Sequence, residues 1–453
     1  SLGKRVTVTA HVKSVRQTSG PTVFHLSDDT GEIRAIGFSA AGERAFKEVM
    51  PGMKVQAECI VKERQGAVEL ELVSCIALKE EWQGFSIESE SLQRLKPNLL
   101  AAAALLKESA GKRQIIIRHH DDVDGYVSGY AIERALRTVS DDKWLTVRSS
   151  SRTPFYDYID VMRDLNTCQT SRSKARPLIV LCDLGSNDQS IKAISRVPAD
   201  FLIIDHHRYD EENKAKSVVF VNPHAEGLGS ELSAGALCVE IALMISPGLN
   251  LRHLPGVCQV ADKCNGKDTE KYLANAGMSL KFAEDLAMVL DHDLYHLKFQ
   301  ESLELLDSLF DRNTAEAQVA NLLPRLQEEI ARATLAAKRY QVVKEHNGFA
   351  IVTIEKSKVV NYDYVGGKLP RILSSLHTGP RMIMVYDEGA ISFRVDGVAF
   401  SLPKLVSYLK EKLPYAMIAG GGHDYAGTLK YNLASEPEVS KEIALYLSKT
   451  TVL

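Results

Sequence analysis

Hydrophobic and polar residues alternate over the first 80 residues in the pattern typical of short β-strands. Turns rich in Gly, Asp and Pro separate the strand-like segments, which cover residues 6–15, 22–27, 33–38, 54–62 and 68–77. One helical segment, residues 40–50, falls between the third and fourth of these strands. The pattern predicts a small β-barrel over residues 1–82.

The pattern then changes to helical spacing and later to an alternation of strands and helices. Leucines at helical spacing predict a connecting helix over residues 83–112, and the strand–helix alternation predicts a parallel α/β domain over residues 113–265. Residues 266–346 read as a helical bridge, ending in a long amphipathic stretch from 314 to 346. New strands and helices predict a second α/β domain over residues 347–453. The expected fold class is therefore a multidomain α/β protein with an N-terminal barrel.

The amino-acid composition argues against several classes of protein. The 453 residues are 45% hydrophobic and 25% charged, with a formal net charge of −3, which argues against a disordered chain and against histone-like binding of nucleic acid by bulk charge. Seven cysteines without a C-x-x-C pair favour neither a disulfide framework nor a zinc cage. No apolar run is long enough to span a bilayer and no signal pattern opens the chain, so we expect a cytoplasmic location. The chain does not begin with Met, which leaves open whether a further module precedes it.

Acidic and imidazole side chains follow several predicted strands of the central domain. His120, Asp122 and Asp124 lie at alternate positions after the first strand, so an extended strand end would place them on one side. The alternative is a polar turn marked by Asp124 and Gly125. Asp183 follows the second strand, where it could also cap the next helix.

The third strand ends in Asp205, His206 and His207, and Asp262 follows a further apolar segment. Open α/β sheets place their active sites at the carboxyl ends of strands, so these groups are expected to meet. Several buried carboxylates side by side require a countercharge, and divalent cations would supply it. The joint pattern therefore predicts a metal site.

These motifs, in this order, resemble those of the DHH phosphoesterases, which include RecJ-type exonucleases, oligoribonucleases and family II inorganic pyrophosphatases. The first is His120-x-Asp122-x-Asp124-Gly125, and the others contain Asp183, Asp205-His206-His207 and Val260-Ala261-Asp262. Asn222-Pro223-His224 and the segment 232–235 also look like the connecting loop and helix start of that family. The N-terminal barrel separately resembles the OB fold of replication factors and synthetases.

The resemblance to the DHH family implies two metal ions that share Asp183. One would be held by His120, Asp122 and Asp183, and the other by Asp124, Asp183, His206 and Asp262. Mixed carboxylate and imidazole ligands favour Mn²⁺, with Mg²⁺ usable. Such a pair activates water for hydrolysis at phosphorus. His207 would contact the scissile phosphate or protonate the leaving group, unless it only orients a ligand, and Asp205 would orient a neighbouring histidine.

A second set of motifs near the C-terminus resembles the DHH-associated domain. Gly420-Gly421-Gly422-His423 is similar to its glycine signature, and Arg394 lies in a segment similar to its arginine-bearing strand. The glycine run would let backbone amides cradle a phosphate while His423 and Arg394 grip it. This resemblance implies a substrate-binding domain, with the substrate between the two α/β domains. Four other basic residues are predicted to be solvated surface: His119, Arg152, Arg208 and Lys263.

The N-terminal barrel is the feature that distinguishes a nucleic-acid substrate from a small phosphate ester. Its first 80 residues carry eleven Lys and Arg against ten Asp and Glu, so binding of single strands needs a local groove with stacking aromatics. Phe24 and Phe38 are candidates, with core packing as the alternative. A barrel joined to a DHH core resembles the RecJ-like nucleases of archaea. That likeness favours a single-strand exonuclease for DNA or RNA in repair or replication, with a helicase or replication factor as a partner. The polarity of digestion is not carried over from bacterial RecJ, because there the barrel follows the catalytic core and the first motif often opens with Asp where this chain has His120. The separate expectation is 3′-to-5′ removal that releases 5′-mononucleotides.

Two other classes stay open at this point. One is a phosphodiesterase for short oligonucleotides or cyclic dinucleotides, in which the barrel is an accessory. The other is a non-catalytic scaffold, because a replication-helicase cofactor of eukaryotes retains a degenerate DHH core. Retention of every metal residue in this sequence argues against the scaffold.

Overall fold

The computed structural model describes most of the chain. The residues that it describes are 2–28, 30–40, 43–64, 66–78, 80–140, 142, 144–151, 155–229, 231–264, 266–297, 302–359 and 363–453, and in these ranges the side chains of 188–189, 363–367 and 421–423 are not described. The chain forms two compact units, Ser1–Glu316 and Ala317–Leu453. No helix of the described residues is long and apolar enough to cross a membrane.

The N-terminal part of the first unit is a closed five-stranded barrel. Its strands are β1 (Arg5–Gln17), β2 (Thr22–Asp28), β3 (Gly31–Gly37), β4 (Lys54–Arg64) and β5 (Ala67–Ala77), in the order β1-β2-β3-β5-β4. The long β1 pairs with both β2 and β4 and is bent by an irregularity between Val12 and Ser14, which lets it close the barrel. Phe24 and Leu26 fill the interior. The predicted barrel and all five of its strands are confirmed.

The helix predicted for residues 40–50 is wrong where the structure describes that segment. Residues 43–50 form bends and turns. Phe46 adopts a φ of +48°, which interrupts any right-handed helix. Ala45 and Val49 are buried all the same, and the Ala45 amide donates to the Thr22 hydroxyl. The segment therefore closes the barrel end as a loop, and only its apolar positions follow the prediction.

The central domain is a parallel sheet reached through one long helix. That helix is α1 (Glu90–Ser109), and the domain continues with β6 (Ile115–His120), α2 (Val123–Val139), β7 (Thr146–Ser151), α3 (Tyr158–Thr170), β8 (Leu178–Cys182), α4 (Asp188–Ile194), β9 (Asp200–Ile204), α5 (Glu211–Lys216) and β10 (Val219–Val221). The strand order is β10-β9-β8-β6-β7, and all four neighbouring pairs are parallel. The carboxyl ends of β6, β8 and β9 therefore lie side by side.

Helices follow the sheet. They are α6 (Ala234–Ile245), α7 (Leu254–Ala261), α8 (Lys267–Asn275), α9 (Leu280–His296), α10 (Leu303–Leu309) and α11 (Ala315–Tyr340). The fully buried α6 packs against α1, α2 and α7, so it joins the connecting helix to the sheet layer. The amphipathic stretch predicted to stay helical to residue 346 ends at Tyr340, because a strand begins at Val342.

The second unit carries a six-stranded mixed sheet. Its elements are β11 (Val342–His346), β12 (Phe349–Glu355), α12 (Asp363–Ser375), β13 (Arg381–Asp387), β14 (Ala390–Asp396), α13 (Leu402–Lys412), β15 (Ala419–His423), β16 (Ala426–Lys430) and α14 (Glu436–Leu447). The order is β11-β12-β13-β14-β16-β15, with β12 and β13 the parallel pair. Phe349, Met384 and Phe393 pack with Leu405 from α13 in the core. The predicted second α/β domain is confirmed as a fold.

Candidate metal centre

Three neighbouring strands deliver the polar residues of the site to one edge of the parallel sheet. His120 is the last residue of β6, Asp183 directly follows β8, and Asp205 directly follows β9. Because β9, β8 and β6 are adjacent and parallel, their carboxyl ends meet there. Asp262 arrives separately, as the residue that ends α7.

The turn between β6 and α2 is tight, and one glycine makes it possible. Asp122 caps α2, and its Oδ1 accepts the Gly125 amide at 2.9 Å. A Cβ on Gly125 would lie 2.4 Å from the His120 carbonyl oxygen, so no larger residue fits without moving backbone. Asp124 lies in the first turn of α2 and is fully buried. The expectation that His120, Asp122 and Asp124 share one side of an extended strand is wrong, since α2 begins at Val123.

The structure nevertheless brings all three residues to the site, in two different groups. His120, Asp122 and Asp183 form the first group, whose possible ligand atoms lie within 4.8 Å of one another. His120 Nδ1 is 2.8 Å from Asp122 Oδ2 and 3.5 Å from Asp183 Oδ2. The resemblance to the DHH family implies these same three residues as the ligands of one metal ion.

Asp124 belongs to the second group, with Asp183, His206 and Asp262, again within 4.8 Å of one another. His206 Nε2 is 2.9 Å from Asp262 Oδ2 and 3.4 Å from Asp183 Oδ1. The Asp124 Oδ1 accepts the Gly235 amide at 3.0 Å, which fixes the carboxylate from the start of α6. Its Oδ2 is buried and accepts no hydrogen bond from a described residue.

Asp183 is common to both groups and fits a bridging role. It has a φ of +60°, a left-handed conformation that Asp tolerates better than most residues. Its side chain is 1% exposed, and neither carboxylate oxygen accepts a hydrogen bond from any residue that the structure describes. Buried carboxylate oxygens without donors are costly unless a cation approaches them. The donor set therefore fits divalent cations, and Asp183 would be a ligand shared by both groups.

The electrostatics of the site point the same way. Burial raises the pKa of Asp124 well above its usual value, and the nearby Asp262 and Asp183 carboxylates raise it to a smaller extent. Burial opposes the charged form of His206, yet its contacts with Asp183 and Asp262 raise its pKa well above the usual value. The carboxylates thus attract positive charge strongly. Bound cations would replace the protons in this role.

Asp205 supports the histidines instead of joining either group. Its Oδ1 accepts the His206 amide at 2.8 Å and is 2.7 Å from His207 Nδ1, while its Oδ2 accepts the Ser186 amide at 3.1 Å. Although burial opposes its charge, His207 lowers the pKa of Asp205 well below its usual range. The expected orienting role of Asp205 fits these contacts. His207 lies at the rim, within 4.8 Å of ligand atoms of Asp183 and His206.

The four basic residues predicted to be surface groups differ in their placement. The prediction that His119 is a surface residue is wrong, because His119 is completely buried. Its Nδ1 is 2.7 Å from the His120 carbonyl and its Nε2 is 3.2 Å from Arg148 Nη1, so it packs beneath the site. Arg208 and Lys263 are exposed as predicted. Arg152 lies outside the described residues.

The predicted substrate-binding residues of the second unit lie on β14 and β15, the two strands that flank β16. Arg394 on β14 and His423 on β15 both pair with Ala426 of β16, so the sheet register puts them at one level. Gly420 faces close backbone, since an added Cβ would lie 2.7 Å from the Thr428 carbonyl oxygen. Gly421 and Gly422 continue β15, which is an edge strand of the sheet. The side chain of His423 lies outside the described part of the structure.

Several supporting residues were not predicted from the sequence. Gly235 is one, because a Cβ there would lie 2.7 Å from Asp124 Oδ1 and 2.6 Å from Cys258 Sγ. Asn222 is another, since its Nδ2 donates to the Ser186 hydroxyl at 3.1 Å and to the His207 carbonyl at 2.9 Å. The Asn222-Pro223 pair was the available signal for Asn222. Nothing in the sequence pattern marked Gly235 beyond its place at a helix start.

Comparisons with known proteins agree with this architecture. Residues 6–75 match the family model described as an OB-fold nucleic acid binding domain. Residues 114–254 match the N-terminal domain of the DHH family. The chain therefore carries an OB-fold domain followed by a DHH domain, as the two resemblances predicted for these parts.

Individual relatives extend the likeness over more of the chain. An uncharacterized protein of Methanocaldococcus jannaschii is 29% identical over an alignment of 507 positions, gaps included, that covers 94% of this chain and 66% of that protein. The chain thus spans just under two thirds of the relative's length. A solved structure named as the DHH domain of a member of the S1P family of ribosomal proteins is 28% identical, with a TM-score of 0.72, and the match covers 82% of this chain and 94% of that one.

RecJ from Thermus thermophilus, solved in complex with Mn²⁺, shares the fold. It is 17% identical with a TM-score of 0.53, and the match covers 78% of this chain and 55% of that one. At this identity the likeness concerns the architecture of the sheet and its neighbouring domain.

Proposed function

We propose that this chain, in which an OB-fold domain precedes a DHH domain, is a metal-dependent exonuclease of single-stranded nucleic acid. It would hydrolyse phosphodiester bonds of single-stranded DNA or RNA to 5′-mononucleotides. The observation that carries the proposal is Asp183, which belongs to both ligand groups and has two buried oxygens that accept no hydrogen bond from a described residue. A shared carboxylate between two ligand sets is the arrangement that two-metal phosphoryl transfer requires.

The ligand assignment follows the two groups. His120, Asp122 and Asp183 would hold one cation, and Asp124, Asp183, His206 and Asp262 the other. Two bound cations supply water activation and neutralise charge that develops on the phosphate. The imidazoles of His120 and His206 favour Mn²⁺, because Mg²⁺ prefers oxygen ligands. Solved RecJ structures in complex with Mn²⁺ and with Mg²⁺ support both ions as candidates.

His207 is proposed to act on the substrate. Its Nδ1 donates to Asp205, and its Nε2 is the atom proposed to contact the reacting phosphate. Burial opposes the charged ring, but Asp205 raises the pKa of His207 above its usual value. The protonated ring carries a proton on Nε2 that can be donated to a phosphate oxygen or to the leaving oxygen. Asp205 would then hold this ring in the required orientation.

The second unit is proposed to bind the substrate as well. Arg394 and His423, together with the glycine strand Gly420, Gly421 and Gly422, are the residues assigned to this task. An arginine can hold a phosphate with two parallel hydrogen bonds, and an edge strand without side chains exposes its amides to a ligand.

The barrel favours strands over small esters as substrates. Phe24 is completely buried in the barrel core, whereas Phe38 is 60% exposed at the end of β3. An exposed aromatic ring on an OB-fold barrel is suited to stacking with a base. The proposal includes 3′-to-5′ removal of nucleotides, action in DNA repair or replication in the cytoplasm, and a helicase or replication factor as a protein partner.

The test is product analysis on single strands of DNA and RNA labelled at either end. A ladder that shortens from one end with Mn²⁺ and disappears with a chelator is the expected result, and the label that survives assigns the direction. His206→Ala should abolish the ladder, while the exposed Ile76→Ala serves as a matched control on the barrel. Cleavage confined to very short oligonucleotides or cyclic dinucleotides would replace the proposal by the short-substrate phosphodiesterase. No metal-dependent cleavage of any of these substrates would overturn both.

A further inference from the structure

A group of basic side chains lies beside the metal-ligand residues where β9 and β10 end. His207 and Arg208 follow β9, and His224 follows β10 in a short 3₁₀ turn, Pro223–Glu226. Arg208 is exposed, and His207 and His224 are partly buried. His224 has no role in the ligand groups described above.

One side chain, that of Asn222, holds the two histidine-bearing segments together. Asn222 is completely buried. Its Nδ2 donates to the His207 carbonyl at 2.9 Å, and its Oδ1 accepts the His224 amide at 2.9 Å. A third contact, from Nδ2 to the Ser186 hydroxyl at 3.1 Å, ties both segments to the loop after β8. The backbone of His224 is therefore fixed relative to His207.

Most of the cationic side chains of the site lie where β9 and β10 end. His207, Arg208 and His224 lie there together with the Asp205 carboxylate, which contacts His207, whereas Asp122 and Asp124 follow β6. Burial lowers the pKa of His224, and Arg208 and His206 lower it further, while Asp205 opposes them, so cationic groups lie near this ring. A neutral imidazole has one N–H that can donate a hydrogen bond. The group that completes this side of the site would be an anion.

We propose that His224 is a further substrate-binding residue, which donates a hydrogen bond to a non-bridging phosphate oxygen of the nucleic-acid strand beside Arg208. The inference rests on the proposed function and names a contact within it. The two cations would take the scissile phosphate on the carboxylate side, and the basic side would hold an adjacent part of the same anionic backbone. His224 sets substrate affinity and takes no part in holding metal.

The experiment compares His224→Ala, His224→Gln and the exposed control His296→Ala in the full chain. Binding of a short end-labelled oligothymidylate is measured by fluorescence anisotropy with a chelator present, and KM and kcat are measured with Mn²⁺. Loss of one hydrogen bond to a charged group should raise Kd and KM on the order of tenfold in His224→Ala. Glutamine keeps an N–H donor and should recover part of that loss, and the control should match the unaltered protein.

Further readouts separate this inference from its alternatives. The rise of the melting temperature with Mn²⁺ should be the same in His224→Ala and in the unaltered protein, because no metal ligand is removed. Unchanged Kd and KM would overturn the inference, and so would a loss of the Mn²⁺ effect, which would make His224 a positioning residue of the metal centre. If the unaltered protein binds the oligothymidylate but cleaves nothing, the proposed function fails while the Kd comparison still decides the role of His224. If it neither binds nor cleaves, both fail.

Discussion

Asp183 combines three properties that together define its role at the residue scale. It directly follows the central strand β8, it has a left-handed backbone, and it belongs to both ligand groups. Asn tolerates the same backbone conformation, so Asp183→Asn changes charge with little change in shape. This substitution is therefore the sharpest single test of the site.

We expect Asp183→Asn to lower kcat by more than about 100-fold, the upper range for residues that only support a metal ligand. Millimolar Mn²⁺ should raise the melting temperature of the unaltered protein, since a ligand that binds only the folded state stabilises it. The variant should lose most of that increase. In the chelated state the variant should be at least as stable, because one charge is removed from a group of like charges. Differential scanning calorimetry with and without chelator measures both effects.

Gly125 is a second residue whose effect can be predicted from geometry. The atoms closest to an added Cβ are the O, C and Cα of His120, at 2.4, 2.7 and 2.8 Å. Backbone cannot rotate away as a side chain can, so Gly125→Ala should destabilise the fold by about 1–3 kcal/mol and weaken Mn²⁺ binding. Gly229→Ala is the matched control, since its Cβ would meet no described atom within 4 Å. Equal urea midpoints and equal Mn²⁺ affinity in the two variants would contradict this view of the turn.

The sequence indicated which residues form the site more successfully than it indicated the backbone conformation of those residues. Each of His120, Asp122, Asp124, Asp183, His206 and Asp262 lies in one of the two groups. Strand order accounts for His120, Asp183 and His206, because a parallel sheet brings its strand ends together at one edge. The division of the residues into two groups was implied by the resemblance to the DHH family. The left-handed φ of Asp183 and the close contact of Gly235 with Asp124 depend on long-range packing, which no local pattern records.

At the scale of elements, the hydrophobic pattern predicted the strands correctly where they are long and apolar. The five barrel strands and β6, β8 and β9 follow it closely. Short or polar strands were missed. β7 contains Thr146, Arg148 and three serines at an edge of the sheet, and β10 is three residues long. The glycine strand β15 was also missed, because Gly normally indicates a turn and here is required by close backbone contact.

The barrel surface gives a prediction at this scale. Phe38→Ala should raise KM for long single strands on the order of tenfold, because stacking on one aromatic ring contributes about 1–3 kcal/mol. Turnover of a dinucleotide should not change, since a substrate of that size does not need the barrel. Ile76→Ala removes an exposed side chain of similar accessibility, 63% against 60%, and should affect neither substrate. Steady-state kinetics on both substrates with all three proteins measure the difference. The same increase in KM for both substrates would show that Phe38 acts through the fold of the barrel.

At the scale of the whole molecule, the first unit contains a buried histidine that makes its stability depend on pH. His253 precedes α7 and is 6% exposed, and its Nε2 donates to the Phe310 carbonyl at 2.8 Å. Its Nδ1 is buried without a hydrogen-bond partner among the described residues. Burial, partly offset by the Phe310 carbonyl, lowers the pKa of His253 to about 4.

An unfolded histidine has a pKa of about 6.5, so between that value and 4 the unfolded chain binds a proton that the folded chain does not. The contribution of His253 to stability is therefore present above pH about 6.5 and falls as the pH is lowered towards 4. The expected loss is roughly 2 to 3 kcal/mol. His253→Gln keeps a donor for Phe310 and does not titrate. Urea unfolding at neutral and acidic pH should show a smaller pH effect in the variant, and an equal effect would exclude His253 as the source.

The barrel is joined to the rest of the first unit by close contacts. Gly52 lies against Leu249 and Thr138, where an added Cβ would come within 2.6 and 2.9 Å of their side-chain carbons. Lys13 on β1 reaches Asp311 with its ammonium 2.9 Å from the carboxylate. Because the barrel is attached in this way, its distance from the Asp183 carboxylate is constant. Under the proposed function, a nucleic-acid strand that binds both the barrel and Asp183 must exceed a minimum number of nucleotides. A strand shorter than that minimum should be released after each cleavage instead of being cut several times in one binding event.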